Sequence, residues 1–145
     1  MMQLRSYQSH DFDRIIELFH LNTPSYFHPQ EQKDLEAFLA EELENYFIIE
    51  DEGQVVACGG SNVDDGMGWL SWYIVHPDYH GKGLGRQLVD KNLELLQRDP
   101  EVRGIEVRTS QLTHVFYEKA GFVLVETVDD YWGPGLHLYR MKLRL

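Results

Sequence analysis

Trp69-Leu70-Ser71-Trp72-Tyr73-Ile74-Val75 runs into His76-Pro77-Asp78-Tyr79-His80-Gly81-Lys82-Gly83-Leu84-Gly85-Arg86-Gln87-Leu88. This stretch decides the fold. The apolar and aromatic run from Trp69 to Val75 fits a strand buried on both faces. A glycine-rich turn follows, then a helix carrying Leu84, Leu88, Val89, Leu93, Leu95 and Leu96 as far as about Arg98, where Asp99-Pro100 stops it. A strand that enters a helix through glycines aims several unsatisfied N–H groups, and the positive end of the helix dipole, at one point. An anion suits that point, phosphate above all. Gly81, Gly83 and Gly85 let the backbone approach a ligand and take up positive φ, and Lys82 and Arg86 add positive charge. The dinucleotide fingerprint would need glycine at 86, where Arg stands. The loop of nucleotide triphosphatases would need Gly-Lys-Ser/Thr, which is missing. A plain structural turn before a helix is the alternative.

Outward from this centre, both flanks alternate strand and helix signals. Upstream, Gln3 to Tyr7 reads as a short strand. Phe12, Ile15, Ile16 and Phe19 fall on one face of a helix, with Ser9 or Asp11 as its cap. Thr23-Pro24 ends that helix and Pro29 suits the first turn of a second, whose stripe is Leu35, Phe38, Leu39 and Leu43. Tyr46–Ile49 and Val55–Cys58 read as strands around the turn Asp51-Glu52-Gly53-Gln54. Downstream, Ile105, Val107 and Thr109 alternate with polar residues as a strand. Leu112, Phe116 and Ala120 mark a short helix, with Gly121 as its left-handed cap. Phe122–Val128 and Leu136–Leu143 are strands, joined by Asp129–Gly135. The order β-α-α-β-β-β-α-β-α-β-β predicts an α/β (α+β) fold: a mixed, mostly antiparallel sheet of about seven strands with helices on both faces.

The 145 residues suit a single domain over 1–145 with a real core: 43% are hydrophobic and 26% charged. Cys58 is the one cysteine, so no internal disulfide can form, and a reducing, cytoplasmic setting is expected. The sequence contains no apolar run of the ~18 residues needed for a membrane span. The formal net charge is −11, which argues against nucleic acid as partner. The imbalance is local. Residues 1–66 hold fourteen acids against three bases, whereas residues 67–145 hold ten of each. A solvated acidic surface explains this; a field that draws a cationic ligand to one side does so as well.

His80-Gly81-Lys82-Gly83-Leu84-Gly85 resembles the acetyl-CoA loop of the GNAT family of N-acetyltransferases, whose pattern is Gln/Arg-x-x-Gly-x-Gly/Ala. Its first position departs from that pattern, being His. Phe116-Tyr117-Glu118-Lys119-Ala120-Gly121-Phe122 resembles a second signature of the same family, Leu/Phe-Tyr-x-x-x-Gly-Phe. The two motifs together cover about Trp69 to Phe122, and the order of elements agrees over nearly the whole chain. The resemblance implies a central parallel pair of strands that splay apart, and acetyl-CoA as acyl donor. It implies that the amides from Gly81 to Arg86 hold the pyrophosphate, that His80, Gly81, Lys82, Gly83, Leu84, Gly85 and Arg86 are cofactor-binding residues, and that Val75 offers its backbone to the pantetheine arm or to the thioester carbonyl. The amine then attacks the thioester directly, without a protein nucleophile, so Cys58 is expected to be a structural thiol.

By the same resemblance Tyr117 is the general acid and also touches the cofactor; read from periodicity alone it is a core aromatic. Ser110 takes the place of an Asn that in many members contacts the cofactor arm, and its hydroxyl either does the same or caps a helix. The general base is open. The strand from Trp69 to Val75 contains no carboxylate, which leaves His76, Glu106, Asp129 and Asp130 as candidates. His76 and His80 lack a third ligand, so no metal is expected. Tyr26, Phe27, His28, Tyr131 and Trp132 are expected beside acids at the acceptor site, which suits a cationic amine. The alternative for these aromatics is a core or dimer contact, since a homodimer through the C-terminal strands is compatible with the resemblance. The competing function is a non-catalytic acyl-CoA-binding or sensing module on the same fold, and a third is a nucleotide- or phosphate-binding protein using the same loop.

Overall fold

The structure is a computed structural model, described here for residues 1–143; the last two residues of the expected 1–145 domain lie outside the described residues. Strands β1 (Met2–Ser6), β2 (Asn45–Asp51), β3 (Gln54–Asp64), β4 (Met67–Val75), β5 (Gly104–Thr109), β6 (Phe122–Gly133) and β7 (Leu136–Leu143) form one seven-stranded sheet in the order β1-β2-β3-β4-β5-β7-β6. Helices α1 (Phe12–Leu21), α2 (Gln32–Glu41), α3 (Leu84–Arg98) and α4 (His114–Lys119) complete the fold. Every neighbouring pair is antiparallel except β4–β5.

The period-2 pattern of β2 distributes the helices. Tyr46 and Ile48 face α1 and α2, packing with Ile15, Leu18, Phe19, Leu35 and Phe38. Phe47 and Ile49 face the other way, onto Leu84 and Leu88 of α3. Val89 and Leu96 of α3 join Val107, Tyr117 of α4, Phe122 and Met141 in a third apolar cluster. At the start of α1, the buried Asp11 carboxylate accepts the Gln8 N–H at 2.8 Å and pairs with Arg5 at 2.9 Å. Gly121 has φ +104° after α4, the left-handed conformation expected of it.

The feature that opens the sheet lies in β4. It pairs with β5 only from Met67 to Leu70, against Gly104 to Val107. Beyond that, Cys58 pairs with Ile74 and Gly60 with Ser71, so Trp72 and Tyr73 together oppose Gly59. This is a β-bulge, and Trp72 takes φ +54° to make it. That conformation costs a non-glycine residue about 1–2 kcal/mol. It is held by the Tyr46 hydroxyl, which donates to the Trp72 carbonyl at 2.7 Å, and by Phe27 stacked on the Trp72 ring at 6.0 Å. Gly59 makes room: a Cβ there would stand 2.4 Å from the Tyr73 ring.

Two expectations change. The run from Trp69 to Val75 is not buried on both faces; Leu70 and Ile74 are buried, while Trp69, Ser71, Trp72, Tyr73 and Val75 are half-buried. From Ser71 onward β4 has no β5 partner, which leaves Ser71, Trp72, Tyr73 and Val75 open toward the gap, while Trp69, still paired with Glu106, lines the cleft floor. Asp129–Gly133 belongs to β6 rather than to a loop, and only Pro134-Gly135 turns the chain. Asp129–Trp132 bulge out of the ladder between the pairs Val128–Leu138 and Gly133–Leu136, which polar residues can do because β6 is an edge strand, with one neighbour and both faces open from Leu124 to Tyr131.

Candidate active site

The splay between β4 and β5 opens into a cleft of about 1280 Å³. It runs from the glycine turn at the start of α3, past Tyr117, to the C-terminal end of α2.

The first end is made of backbone. Gly81 and Gly83 have φ +78° and +81°, and a Cβ on either would meet nothing within 4 Å, so conformation rather than space requires glycine. Gly85 is different: its Cβ would lie 3.1 Å from the Phe116 ring, so here glycine permits the close packing of α3 on α4. The first bond of α3 runs from Gln87 N to Gly83 O, and the amides of Gly81 to Arg86 donate to no acceptor among the described residues. Six free donors converge at one helix N-terminus. Arg86 pairs with Asp90 at 2.9 Å and donates to the Lys119 carbonyl at 3.1 Å, tying α3 to α4. Lys82 lies 5.0 Å over the Tyr79 ring, outside the cleft lining. Tyr79 in turn donates to Asp51 at 2.6 Å, which anchors the turn to β2.

The middle of the cleft holds Val75, Ser110 and Tyr117. The Val75 carbonyl lies 3.0 Å from Asn22 Nδ2 and 2.9 Å from His80 Nε2, so it fixes the end of α1 and the start of the glycine turn. Ser110 Oγ accepts the Leu112 N–H at 3.2 Å, a bond that shapes the entry to α4. Tyr117 is 6% exposed and packed edge-on against Tyr73, Phe116 and Phe122. Its hydroxyl has no hydrogen-bond partner among the described residues and is not sealed from the cleft. Burial raises its pKa above the ordinary phenol value, so it stays protonated at neutral pH.

The far end is made of side chains. Tyr26, Phe27 and Trp132 line it; Tyr131 is exposed outside it, and His28 packs on Gly133, where a Cβ would lie 2.4 Å from the imidazole. Gln30 donates to the Trp132 carbonyl at 2.8 Å and Trp132 Nε1 to the Thr109 carbonyl at 3.0 Å. These bonds strap the segment between α1 and α2 onto the β6–β7 hairpin. Five carboxylates line this end: Glu31, Glu41, Glu42, Glu44 and Asp64. Arg108 lies 4.7 Å over the Trp69 ring in the same floor.

None of the four base candidates named from the sequence lines the cleft. The His76 ring accepts from Asp78 N at 3.0 Å, Glu106 is paired with Arg140 at 2.7 Å, and Asp130 accepts the Gly135 N–H at 2.7 Å. Asp129 is exposed on β6. The residue that sequence reading overlooked is Glu31. It is 5% exposed, and its Oε2 accepts the His28 N–H at 2.8 Å. Burial raises its carboxyl to about 7. The signal was a capping box, His28-Pro29-Gln30-Glu31, hidden because His replaces the usual Ser or Thr. Cys58 is buried, lies 3.3 Å from the Tyr46 hydroxyl oxygen, and has its thiol pushed up to about 12 by burial, which makes it inert as a nucleophile. No helix among the described residues is long and apolar enough to cross a membrane.

Comparison with known proteins agrees with this geometry. The family model described as "Acetyltransferase (GNAT) family" matches residues 13–122. The chain is 36% identical over 93 residues to an amino-acid acetyltransferase of Pasteurella multocida, covering 61% of this chain and 20% of that one. It is 35% identical over 82 residues to an aminoglycoside N(6')-acetyltransferase type 1 of Klebsiella pneumoniae, covering 54% and 41%. The chain therefore spans about a fifth of the length of the curated amino-acid acetyltransferases it matches. Among solved structures, the ribosomal-protein-S18-alanine N-acetyltransferase of Escherichia coli superposes with TM-score 0.81 over 99% of this chain and 93% of that one, at 21% identity.

Proposed function

The chain belongs to the GNAT acetyltransferase family, and from that premise we propose that it is an acetyl-CoA-dependent N-acetyltransferase acting on a cationic primary amine. One observation carries the reading: the turn from Gly81 to Arg86 has free amides, and Gly81, Gly83, Leu84, Gly85 and Arg86 line the same cleft as an unbonded, protonated Tyr117. The free amides and the turn's positive φ fit a pyrophosphate, and the opening between β4 and β5 fits an extended arm. His80, Gly81, Lys82, Gly83, Leu84, Gly85 and Arg86 would hold the diphosphate, with Val75, Ser110 and Tyr117 along the arm. Bound acetyl-CoA supplies a thioester whose acyl carbon accepts the amine.

This chain's residues then have three tasks. The amides neutralise the diphosphate and fix the register of the arm. Tyr117 donates its hydroxyl proton toward the departing sulfur, which needs a phenol rather than a phenolate; its raised pKa keeps it in that form. The aromatic and acidic end receives the amine, where Glu41, Glu42, Glu44 and Asp64 supply the negative field and Tyr26, Phe27 and Trp132 the apolar walls. One acetyltransferase domain over 1–145, a reducing cytoplasm suited to the buried thiol, and a homodimer along the exposed β6 edge complete the proposal. Exposed Leu124, Val125, Val128 and Tyr131 on that edge support the dimer, which sedimentation velocity tests.

Thiol release from acetyl-CoA is the direct assay, run against polyamines, amino acids, aminoglycosides and peptides with free N-termini. Acetyl-CoA is expected to raise the melting temperature and at least one cationic amine to release CoA. Stabilisation by acetyl-CoA with no release across the panel would support the non-catalytic module instead. Stabilisation by ATP but not by CoA would overturn both.

A further inference from the structure

An amine must be neutral to attack, and the fold leaves that task unassigned: β4 contains no carboxylate beside the bulge. The geometry points to Glu31 as the general base that takes the ammonium proton of the acceptor, a reading that rests on the acetyltransferase function proposed above. Of the five carboxylates that line the cleft, Glu31 alone is buried; Glu41, Glu42, Glu44 and Asp64 are exposed at the rim. Its two oxygens have different surroundings. Oε2 accepts the His28 N–H at 2.8 Å, and that backbone bond fixes the carboxylate in one orientation. Oε1 has no protein donor among the described residues and is not among the polar atoms sealed off inside the protein, so it is free for a donor in the cleft.

The anchoring segment is itself held. His28 packs on Gly133, and Gln30 is bonded to the Trp132 carbonyl, so the hairpin that walls the acceptor end also positions the base. The other capping-box acid of the fold, Asp11, is as deeply buried, but both of its oxygens are bonded by Arg5 and the Gln8 N–H; Glu31 differs in keeping its second oxygen free. The titratable and charged groups nearby are His28 in its own cap and Asp34 on α2; Glu41, Glu42, Glu44, Asp64 and Arg108 line the same cleft. Burial first, and then the negative charge of Asp34, hold the Glu31 proton more firmly, against the His28 N–H bond that loosens it. A carboxyl near 7 is a better match for an ammonium of ~10 than an ordinary carboxyl, and it is ionised above neutrality, where the amine is wanted.

The protons balance. One ammonium proton passes to Glu31, directly or through one water. The N–C bond forms and the C–S bond breaks. Tyr117 gives its proton to sulfur and regains one from the newly acylated nitrogen. Glu31 returns its proton to solvent as the products leave, so one proton is released per turnover.

Glu31→Gln is the test, because the amide keeps an acceptor for the His28 N–H and changes only the basicity. Wild type and variant are compared with the best amine from the panel above, with acetyl-CoA affinity measured in parallel. We expect kcat/KM to fall about 100-fold at pH 7.5, the acid limb near pH 7 to vanish, and acetyl-CoA binding to be unchanged. Glu31→Asp, which cannot keep both the cap and the reach, is expected to retain the limb at a reduced rate. A variant Glu31→Gln with the wild-type rate and an intact limb overturns the base assignment alone. A wild type that turns over no amine overturns the acetyltransferase function and the base with it.

Discussion

The two ends of the cleft are built from different materials. At the turn before α3 the contact surface is main chain: amides without partners and two glycines at positive φ, with nothing within 4 Å of where a Cβ would stand. At the acceptor end it is side chain: Trp132, Phe27, Glu31 and the rim carboxylates, drawn from the segment between α1 and α2, from α2, β3 and the β6–β7 hairpin. A main-chain site needs only a local conformation, so a short run of glycines can specify it. A side-chain site needs distant segments brought together, and its specificity can vary without disturbing the first. One end suits an invariant group common to many reactions; the other suits whatever amine this protein uses.

The sharpest way to break this comparison lies between the two ends. Tyr117→Phe keeps the ring packing and removes the hydroxyl. Turnover is expected to fall ~100-fold or more in the thiol-release assay, with acetyl-CoA affinity retained. Equal turnover would mean that the leaving sulfur needs no donor from the protein. Next comes Gly83→Val, which forces a β-branched residue to φ +81°. A strain of about 1–2 kcal/mol predicts roughly tenfold weaker acetyl-CoA binding by calorimetry, or an equivalent loss of stability. Gly81→Val should behave alike, because both positions are conformational. A Gly85→Ala change should instead disturb α3–α4 packing, lowering the melting temperature first and binding only secondarily.

A smaller effect sharpens the acceptor end. The Glu31 carboxyl is raised in the folded state, so its contribution to stability is present below the ordinary carboxyl range and is lost as pH rises through about 7. Glu31→Gln is therefore expected to melt about 3 °C above wild type at pH 8 and to match it at pH 4. Asp11 runs the other way. Despite the opposing effect of its burial, the bonds from Arg5 and the Gln8 amide depress its carboxyl, so its contribution holds at neutral pH and disappears as pH falls through its lowered value. Least of all, Lys82→Ala should weaken acetyl-CoA binding by a few-fold at low salt and hardly at all at high salt, since this exposed charge is screened.

The legibility of the sequence follows the same division. The helix stripe of Phe12, Ile15 and Phe19, the left-handed Gly121 and the strand–turn–helix around Gly83 could all be read, because each is decided within a few residues. Trp69 to Val75 was misread as a fully covered strand. The bulge at Trp72 depends on Gly59 from another strand and on Tyr46 from a third. Asp129–Gly133 was misread as a loop because its polarity suits an edge strand as well as a turn. The chemistry of His76, Glu106, Asp129 and Asp130 suits a base, but the fold places all four outside the cleft lining, with His76, Glu106 and Asp130 bonded elsewhere and Asp129 exposed on β6.

By itself the chain's residue order determined the elements, their sequence and the phosphate-type turn, since helix periodicity, strand alternation and glycine torsions are local properties. Only the tertiary structure decided that β4 parts from β5, that Tyr117 keeps a free hydroxyl, and that Glu31 is the buried acid of the cleft. Burial and hydrogen-bond partnership are set by which distant segments pack together, and that packing is what moves a carboxyl from its ordinary range to about 7.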